Sequence, residues 1–340
     1  MTQENKDTCR ILFQFRIPME EFSILPSHFE IVVPQEDFFP ADEYNRLLGE
    51  AEVLVSVFGQ KVTRTMIDKA PKLKLIANYG VGYDNIDLAY ATEKGIVVTN
   101  TPDPVTEPTA ELAMGLMVSI ARNISGFNSD LRLNKVPVWT VLNNLTTTLY
   151  GKTLGIVGMG AIGRSLARRA LAFGMNIIYH NRKRLDISTE QKYQAAYTDL
   201  ESLLRNADVV SLNVPATTET YHMIGVSEFK IMKSQAILIN TARGAVVDQQ
   251  ALMSALKNRE IAGAGLDVFE QEPAIPHELL NMSQVVLTPH VGSATREARS
   301  EMSSLVADII TGFFAGEKNL PIVNKDVFQK PEFRGKTLQH

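Results

Sequence analysis

Short runs dominated by apolar and β-branched residues recur along this chain, alternating with polar-flanked amphipathic stretches. Over the first hundred positions the runs are Ile11–Ile17, Glu30–Val33, Val53–Phe58, Leu73–Asn78 and Ile96–Thr101. Between them lie the helix candidates Ala41–Glu50, Thr63–Lys69 and Asp87–Lys94. A strand with one wet face alternates apolar with polar residues. A continuously apolar strand is buried on both faces, which calls for a parallel sheet covered by helices. The order strand–helix–strand therefore predicts a doubly wound α/β unit.

Two prolines in Thr101-Pro102-Asp103-Pro104 interrupt the pattern. A buried helix is expected from Glu107 through Ile120, opened by Pro108 in its first turn. Ser125–Tyr150, which holds Trp139, has no strong period and reads as a second helix plus an extended loop. From Lys152 the alternation restarts. Its strand candidates are Thr153–Val157, Asn176–Tyr179, Asp208–Asn213, Ala236–Asn240, Gly263–Val268 and Val285–Thr288. Helices are expected at Ala161–Phe173, Asp199–Asn206, Ser227–Ile231, Asp248–Asn258 and Arg296–Gly316, with a polar, proline-containing tail after the last. Two parallel-sheet units in tandem are thus predicted.

Composition narrows the function classes. With 45 % hydrophobic and 21 % charged residues the chain is globular. Its 34 basic residues are scattered and the net charge is −4, so no nucleic-acid footprint is visible. Cys9 is the only cysteine, as expected in a reducing compartment. The opening Met1–Asp7 is polar and acidic, unlike a secretory signal, and Leu112–Ile120 is about half of what a bilayer span needs. A cytoplasmic protein without membrane partners is expected.

Gly158-Met159-Gly160-Ala161-Ile162-Gly163 follows one predicted strand directly and opens a predicted helix. That context makes GxGxxG a dinucleotide fingerprint. Gly158 permits the tight turn, Gly160 lets the backbone approach a pyrophosphate, and Gly163 allows helix and strand to pack closely. The amides of Ala161 and Ile162, at the positive end of the helix, face the phosphates. About 20 residues beyond the fingerprint an NAD-binding chain needs a carboxylate for the ribose 2′-hydroxyl. Here Asn181-Arg182-Lys183-Arg184 stands instead. Asn181 does not repel a 2′-phosphate, and Arg182 and Arg184 attract one, so NADP(H) is preferred, with NAD(H) still compatible.

Three further loops follow predicted strands, where ligands of open α/β sheets bind. They carry Arg243, Glu272 and His290. The trio suits reversible hydride transfer to a 2-oxo acid: a permanent cation for the carboxylate and carbonyl oxygen, and a proton donor for the developing alkoxide. A free histidine titrates near about pH 6.5, and an adjacent carboxylate such as Glu272 is expected to move that up by about one pH unit. His28, His180, His222, His277 and His340 lack a comparable setting and read as structural or surface residues. No HExxH or cysteine–histidine spacing calls for a metal, and no GxSxG for a serine hydrolase.

From Asn78-Tyr79-Gly80-Val81-Gly82-Tyr83-Asp84-Asn85-Ile86-Asp87 to the final helix, the chain resembles the D-isomer-specific 2-hydroxyacid dehydrogenase family. The markers are Gly158–Gly163, Asn240-Thr241-Ala242-Arg243-Gly244, Leu266-Asp267-Val268-Phe269-Glu270-Gln271-Glu272-Pro273 and Pro289-His290-Val291-Gly292-Ser293-Ala294-Thr295. The resemblance implies a discontinuous, flavodoxin-like substrate domain, 1–104 with 295–340, and a Rossmann cofactor domain, 105–294, with the active-site cleft between them. It implies Arg243, Glu272 and His290 as catalytic residues, with the amides of Val81 and Gly82 on the substrate carboxylate. Asp267 would hold the nicotinamide carboxamide, and Thr109, Pro215, Thr241 and Gly292 would line the cofactor. It also implies a homodimer built through 107–150, where Trp139 matches a family tryptophan linked to the partner's active site.

Within the family, the Asn181/Arg182 pair and His-Val-Gly-Ser-Ala-Thr are similar to NADPH-using glyoxylate and hydroxypyruvate reductases. The expected reaction is reduction of a small 2-oxo acid to the D-2-hydroxy acid. A D-lactate-type dehydrogenase using NAD stays open as the alternative. A dinucleotide-sensing co-repressor like the C-terminal-binding proteins would keep the trio too, but the short N-terminus and lack of a disordered tail count against it.

Overall fold

The computed structural model describes residues 8–57, 59–135 and 138–335. Met1–Asp7, Phe58 and His340, on which readings above rest, lie outside the described residues. The chain divides into two compact units, one built from residues up to Val105 and from Ser293 onward, the other from Thr106 to Gly292.

The first unit contains β1 (Cys9–Phe13), β2 (Phe29–Val32), α1 (Ala41–Leu48), β3 (Val53–Val57), α2 (Arg64–Asp68), β4 (Leu75–Tyr79), α3 (Leu88–Glu93) and β5 (Val97–Thr99). All strands pair in parallel, in the order β2-β1-β3-β4-β5, the flavodoxin-like arrangement. Every residue of β3 and β4 is buried. Alternate side chains supply two cores: Ile11, Phe13, Val55, Ala77 and Tyr79 meet the C-terminal helix Arg296–Ala315 through Met302, Val306, Ile310 and Phe313. Leu12, Leu54, Ile76 and Val98 meet Leu47, Leu48, Ile67 and Tyr90 on the opposite face. This two-sided burial is why the central strands read as predominantly apolar runs without a polar–apolar alternation. The tail is not a loose end: Arg334 Nη1 donates to Leu73 O at 2.9 Å and Pro71 O at 3.1 Å, and Val327 is fully buried.

The second unit opens with α4 (Thr106–Ala121) and α5 (Ile124–Arg132). There follow β6 (Thr153–Val157), α6 (Ala161–Ala172), β7 (Asn176–His180), α7 (Ile187–Lys192), β8 (Ala195–Tyr197), α8 (Leu200–Asn206) and β9 (Val209–Leu212). It closes with α9 (Val226–Ile231), β10 (Ile237–Asn240), α10 (Gln249–Lys257), β11 (Gly263–Leu266), α11 (His277–Leu280) and β12 (Val285–Leu287). The seven strands are parallel, in the order β12-β11-β10-β9-β6-β7-β8. Strand order reverses between β6 and β9, where a dinucleotide binds in a doubly wound sheet. Helices α4 and α6 cover one face and α8, α9 and α10 the other. The short pair α7–β8 escapes the sequence reading because Ala195-Ala196-Tyr197 is a three-residue edge strand with two exposed residues, too brief for a period to register. Among the described residues, no helix is long and apolar enough to cross a membrane.

Candidate active site

Strand β6 delivers the chain to Gly158, whose φ is +94°. A Cβ there would lie 2.7 Å from Asn213 O in the loop after β9, so the turn at the switch point admits only glycine. Helix α6 folds back onto this turn, and a Cβ on Gly163 would meet Gly158 O at 2.5 Å. Gly160, the N-cap of α6, has nothing within 4 Å of where its Cβ would be and makes no side-chain cap. The backbone at the start of α6, where helical amides lack intrahelical partners, therefore borders open space.

At the end of β7, Asn181 turns its Oδ1 inward to accept from Met159 N at 2.7 Å, bracing the glycine turn. The cations behind it have different roles. Arg182 is exposed and helps hold the Glu219 carboxyl below its ordinary range, after the hydrogen bonds Glu219 makes locally with Thr217. Arg184, expected beside Arg182 on a phosphate, has its fork on Glu190: Nε to Oε1 and Nη2 to Oε2, both 2.8 Å. With Tyr179 Oη adding a 2.6 Å bond, the Glu190 carboxyl is pulled down to about 2.

The chemistry-bearing side chains stand at the carboxyl ends of β10, β11 and β12. His290 Nδ1 lies 2.7 Å from Glu272 Oε2, and Glu272 Oε1 accepts from Phe269 N at 2.9 Å. The two side chains are only 25 % and 29 % exposed, so water screens the pair less than at an open surface. Burial alone pushes the Glu272 carboxyl up. The His290 ring, the Phe269 amide and the charge of Arg243 outweigh it and hold that carboxyl below its usual range. His290 itself has φ +54°, a strained conformation for a non-glycine residue. It is held there by its amide, which donates to Asp267 O at 2.8 Å.

Asp267 is 1 % exposed and anchors the whole histidine loop. Its Oδ1 accepts from Thr288 Oγ1 at 2.6 Å and Val291 N at 2.8 Å, and its Oδ2 from Gly292 N at 2.8 Å. Burial raises its carboxyl above the ordinary value despite these bonds. Thr109, in the first turns of α4, adjoins this cluster: a Cβ on Gly292 would lie 3.3 Å from Thr109 Oγ1. Arg243 follows β10, its Nη1 donating to Ala242 O at 2.8 Å.

The family described as D-isomer specific 2-hydroxyacid dehydrogenase, NAD binding domain, matches residues 114–292. A glyoxylate reductase of Thermococcus litoralis is 52 % identical over 282 residues, covering 82 % of this chain and 85 % of its own. A solved glyoxylate reductase from Paecilomyes thermophila matches with TM-score 0.84 and 34 % identity, over 94 % of this chain and 99 % of that one. An NADPH-dependent glyoxylate/hydroxypyruvate reductase from Sinorhizobium meliloti, in complex with NADP and malonate, matches with TM-score 0.81 and 35 % identity, over 94 % and 98 %. The chain belongs to the D-isomer specific 2-hydroxyacid dehydrogenase family.

For a dehydrogenase of this family the residues present fit a dinucleotide. Besides the open ground above Gly160, two buried oxygens at this end of the sheet, Thr241 Oγ1 and Asn213 Oδ1, have no partner among the described residues. A buried polar atom left unsatisfied costs about 1–3 kcal/mol, which a polar ligand would relieve. Pro215 sits in the same loop as Asn213, where its carbonyl accepts from Thr220 Oγ1 at 2.6 Å. Val81 and Gly82 belong to the other unit, in the turn after β4. Among the described residues no cluster of three or more His, Cys, Asp or Glu could hold a metal ion.

Two positioning features of this dehydrogenase went unread in the sequence. Asn240, 1 % exposed, ties its own loop shut: its Oδ1 accepts from Ala242 N and its Nδ2 donates to Arg243 O, both at 3.0 Å. Its place just before Thr241 in a strand-ending loop was the available signal. His222, read from sequence as structural or surface, has a carboxylate partner after all: Nε2 is 2.8 Å from Glu270 Oε1. Its amide donates to Ala245 O at 2.9 Å, so it braces the arginine loop against the loop carrying Glu272. No local signal marks a pair 48 residues apart.

Proposed function

We propose that this dehydrogenase reduces a small 2-oxo acid of the glyoxylate and hydroxypyruvate type to the D-2-hydroxy acid, using NADPH. The observation that carries the reading is the His290–Glu272 pair, on a loop whose next two amides, Val291 and Gly292, are tied to the buried Asp267 carboxylate. The names of the relatives support the substrate class.

A bound nicotinamide cofactor would supply the hydride for reduction at the substrate C2, leaving the protein to deliver a proton to the carbonyl oxygen. Glu272 engages Nδ1 of His290, which assigns proton delivery to Nε2. The carboxylate holds the imidazolium in one orientation and balances its charge. Arg243, on a loop clamped by Asn240, polarises the carbonyl and offsets the charge growing on its oxygen. The amides of Val81 and Gly82 take the substrate carboxylate, and Asp267 the nicotinamide carboxamide. Thr109, Pro215, Thr241 and Gly292 would line the cofactor, and the amides at Ala161 and Ile162 would hold its pyrophosphate. The uncharged Asn181 and the exposed Arg182 favour a 2′-phosphate, hence NADPH; Arg184 acts only indirectly, through Glu190.

The protein works as a homodimer through the segment 107–150. In support, Val138, Trp139, Val141, Leu142 and Leu145 are 64–90 % exposed in the single chain, an apolar strip that a second copy would cover.

Steady-state turnover of glyoxylate, hydroxypyruvate and pyruvate, each with NADPH and NADH, tests the reading. Glyoxylate or hydroxypyruvate with NADPH is expected to give the highest kcat/KM; absence of turnover with all three would overturn it.

A further inference from the structure

The turn after β4 carries consecutive peptide groups whose carbonyls are all held from one side or another. Asn78 Nδ2 donates to Gly80 O at 2.9 Å and to Gly82 O at 2.8 Å. Asn100 Nδ2 donates to Val81 O at 2.8 Å, between them in sequence. Thr101 N adds a second bond to Gly80 O at 3.0 Å. In a trans peptide the C=O and the next N–H point in opposite directions, so a carbonyl pinned on one side fixes that N–H on the other. The N–H groups of Val81, Gly82 and Tyr83 are set in this way. Among the described residues none of the three has an acceptor.

Asn78 is 1 % exposed at the end of the sheet, and its orientation is chemically determined. Its Oδ1 accepts from Ser56 Oγ at 3.0 Å. Turned over, that oxygen would face two carbonyls while the NH₂ lost both acceptors. A buried amide with both donors on neighbouring carbonyls restrains the orientation of those peptide planes.

We infer that Asn78 and Asn100 form a two-point lock that preorganises the backbone donors for the substrate carboxylate. The inference rests on the reading above that Val81 and Gly82 receive that group. Both asparagines are positioning residues, since they act through the backbone and not on the substrate. Donors already aimed need no reorganisation when the anion arrives. A carboxylate bound equally in the ground and transition states contributes to KM and little to kcat, which separates this role from that of His290.

The test compares glyoxylate with its uncharged amide, glyoxylamide, as substrates of the intact NADPH-loaded protein. Asn78→Ala should raise KM for glyoxylate about 10- to 100-fold, the loss of about 1.4–2.8 kcal/mol of ground-state binding. Maximal turnover and KM for NADPH should stay near those of the wild type. The preference for glyoxylate over glyoxylamide should fall by the same factor as the KM change. Asn100→Ala, which frees one carbonyl instead of two, should show the same pattern more weakly. Equal losses on acid and amide, or an unchanged preference, would overturn the lock and leave a merely structural role. Should a variant not fold, oxamate titrated into the isotope-labelled wild-type protein with NADPH gives a second readout. Amide shifts at Val81, Gly82 and Tyr83 are expected, and their absence would overturn the inference. A wild-type protein inert toward every 2-oxo acid, yet shifting these amides with oxamate, would instead remove the proposed reaction while keeping the lock.

Discussion

The two sheets of this protein share one construction and present opposite chemistries at their carboxyl ends. Both are wholly parallel and buried on both faces. In the seven-stranded sheet the loops after β10, β11 and β12 carry the ionisable side chains Arg243, Asp267, Glu272 and His290. In the five-stranded sheet the turn after β4 offers neutral peptide N–H groups, with two side-chain amides behind them. Under the proposed assignment, the contrast keeps anion recognition apart from acid–base work. Backbone donors do not titrate, so under the proposed assignment the pH dependence of turnover should come from the histidine and not from the N–H groups that receive the substrate.

That division can be broken or sharpened by substitution. The largest effect belongs to His290→Gln, which keeps a hydrogen-bonding side chain but removes the transferable proton. Reduction should slow by about 10³-fold in kcat while NADPH affinity, read by fluorescence titration, stays within about twofold. Unimpaired turnover would move the acid–base chemistry elsewhere. Next comes Arg182→Ala: KM for NADPH should rise about tenfold and KM for NADH change little, the signature of a lost charge-assisted bond to a 2′-phosphate. Equal changes for the two cofactors would remove that contact.

A smaller change is expected from His222→Phe, which keeps a ring stacked against Tyr221, 4.0 Å away, and deletes the bond to Glu270. Turnover should fall about two- to fivefold through a looser arginine loop, given a single net hydrogen bond of about 1 kcal/mol. The same KM for NADPH as in the wild type is the accompanying control.

The smallest effect concerns stability. Glu272 has a folded-state carboxyl held below its ordinary value, so its pairing stabilises the fold above the unfolded-state value of about 4.3. The contribution disappears as pH drops through the lower folded-state value. Glu272→Gln should therefore melt about 1–3 °C below the wild type at pH 7, with the gap closing below about pH 4. A gap that widened toward acid would reverse the sign assigned to the pair.

Much of this architecture was legible because burial on both faces is a one-dimensional signal. Val53–Val57 and Leu75–Tyr79 are fully buried, and the chain spells each as an apolar run with a single polar residue, Ser56 and Asn78 respectively. The glycine turn was equally plain, since φ +94° at Gly158 and the missing space beside it leave one residue type to choose from. The strand β8 was not legible, because Ala-Ala-Tyr at an edge has neither length nor apolar contrast. Arg184 misled for a related reason: a row of cations at a strand end looks uniform until the short helix α7 brings Glu190 under one of them.

By itself, then, the amino-acid order determined the parallel character of both sheets, the position of the nucleotide turn and the strand-end loops that bear charge. Each of these follows from periodicity or from the steric demands of one residue. Tertiary structure set the geometry of the His290–Glu272 pair that the sequence suggested, and it alone matched His222 with Glu270 and the donors of Asn78 with the carbonyls of Gly80 and Gly82. A hydrogen bond is made or lost over a few tenths of an ångström and a few tens of degrees. Those margins are set by how neighbouring loops pack at the sheet's edge, a property that no spacing along the chain encodes.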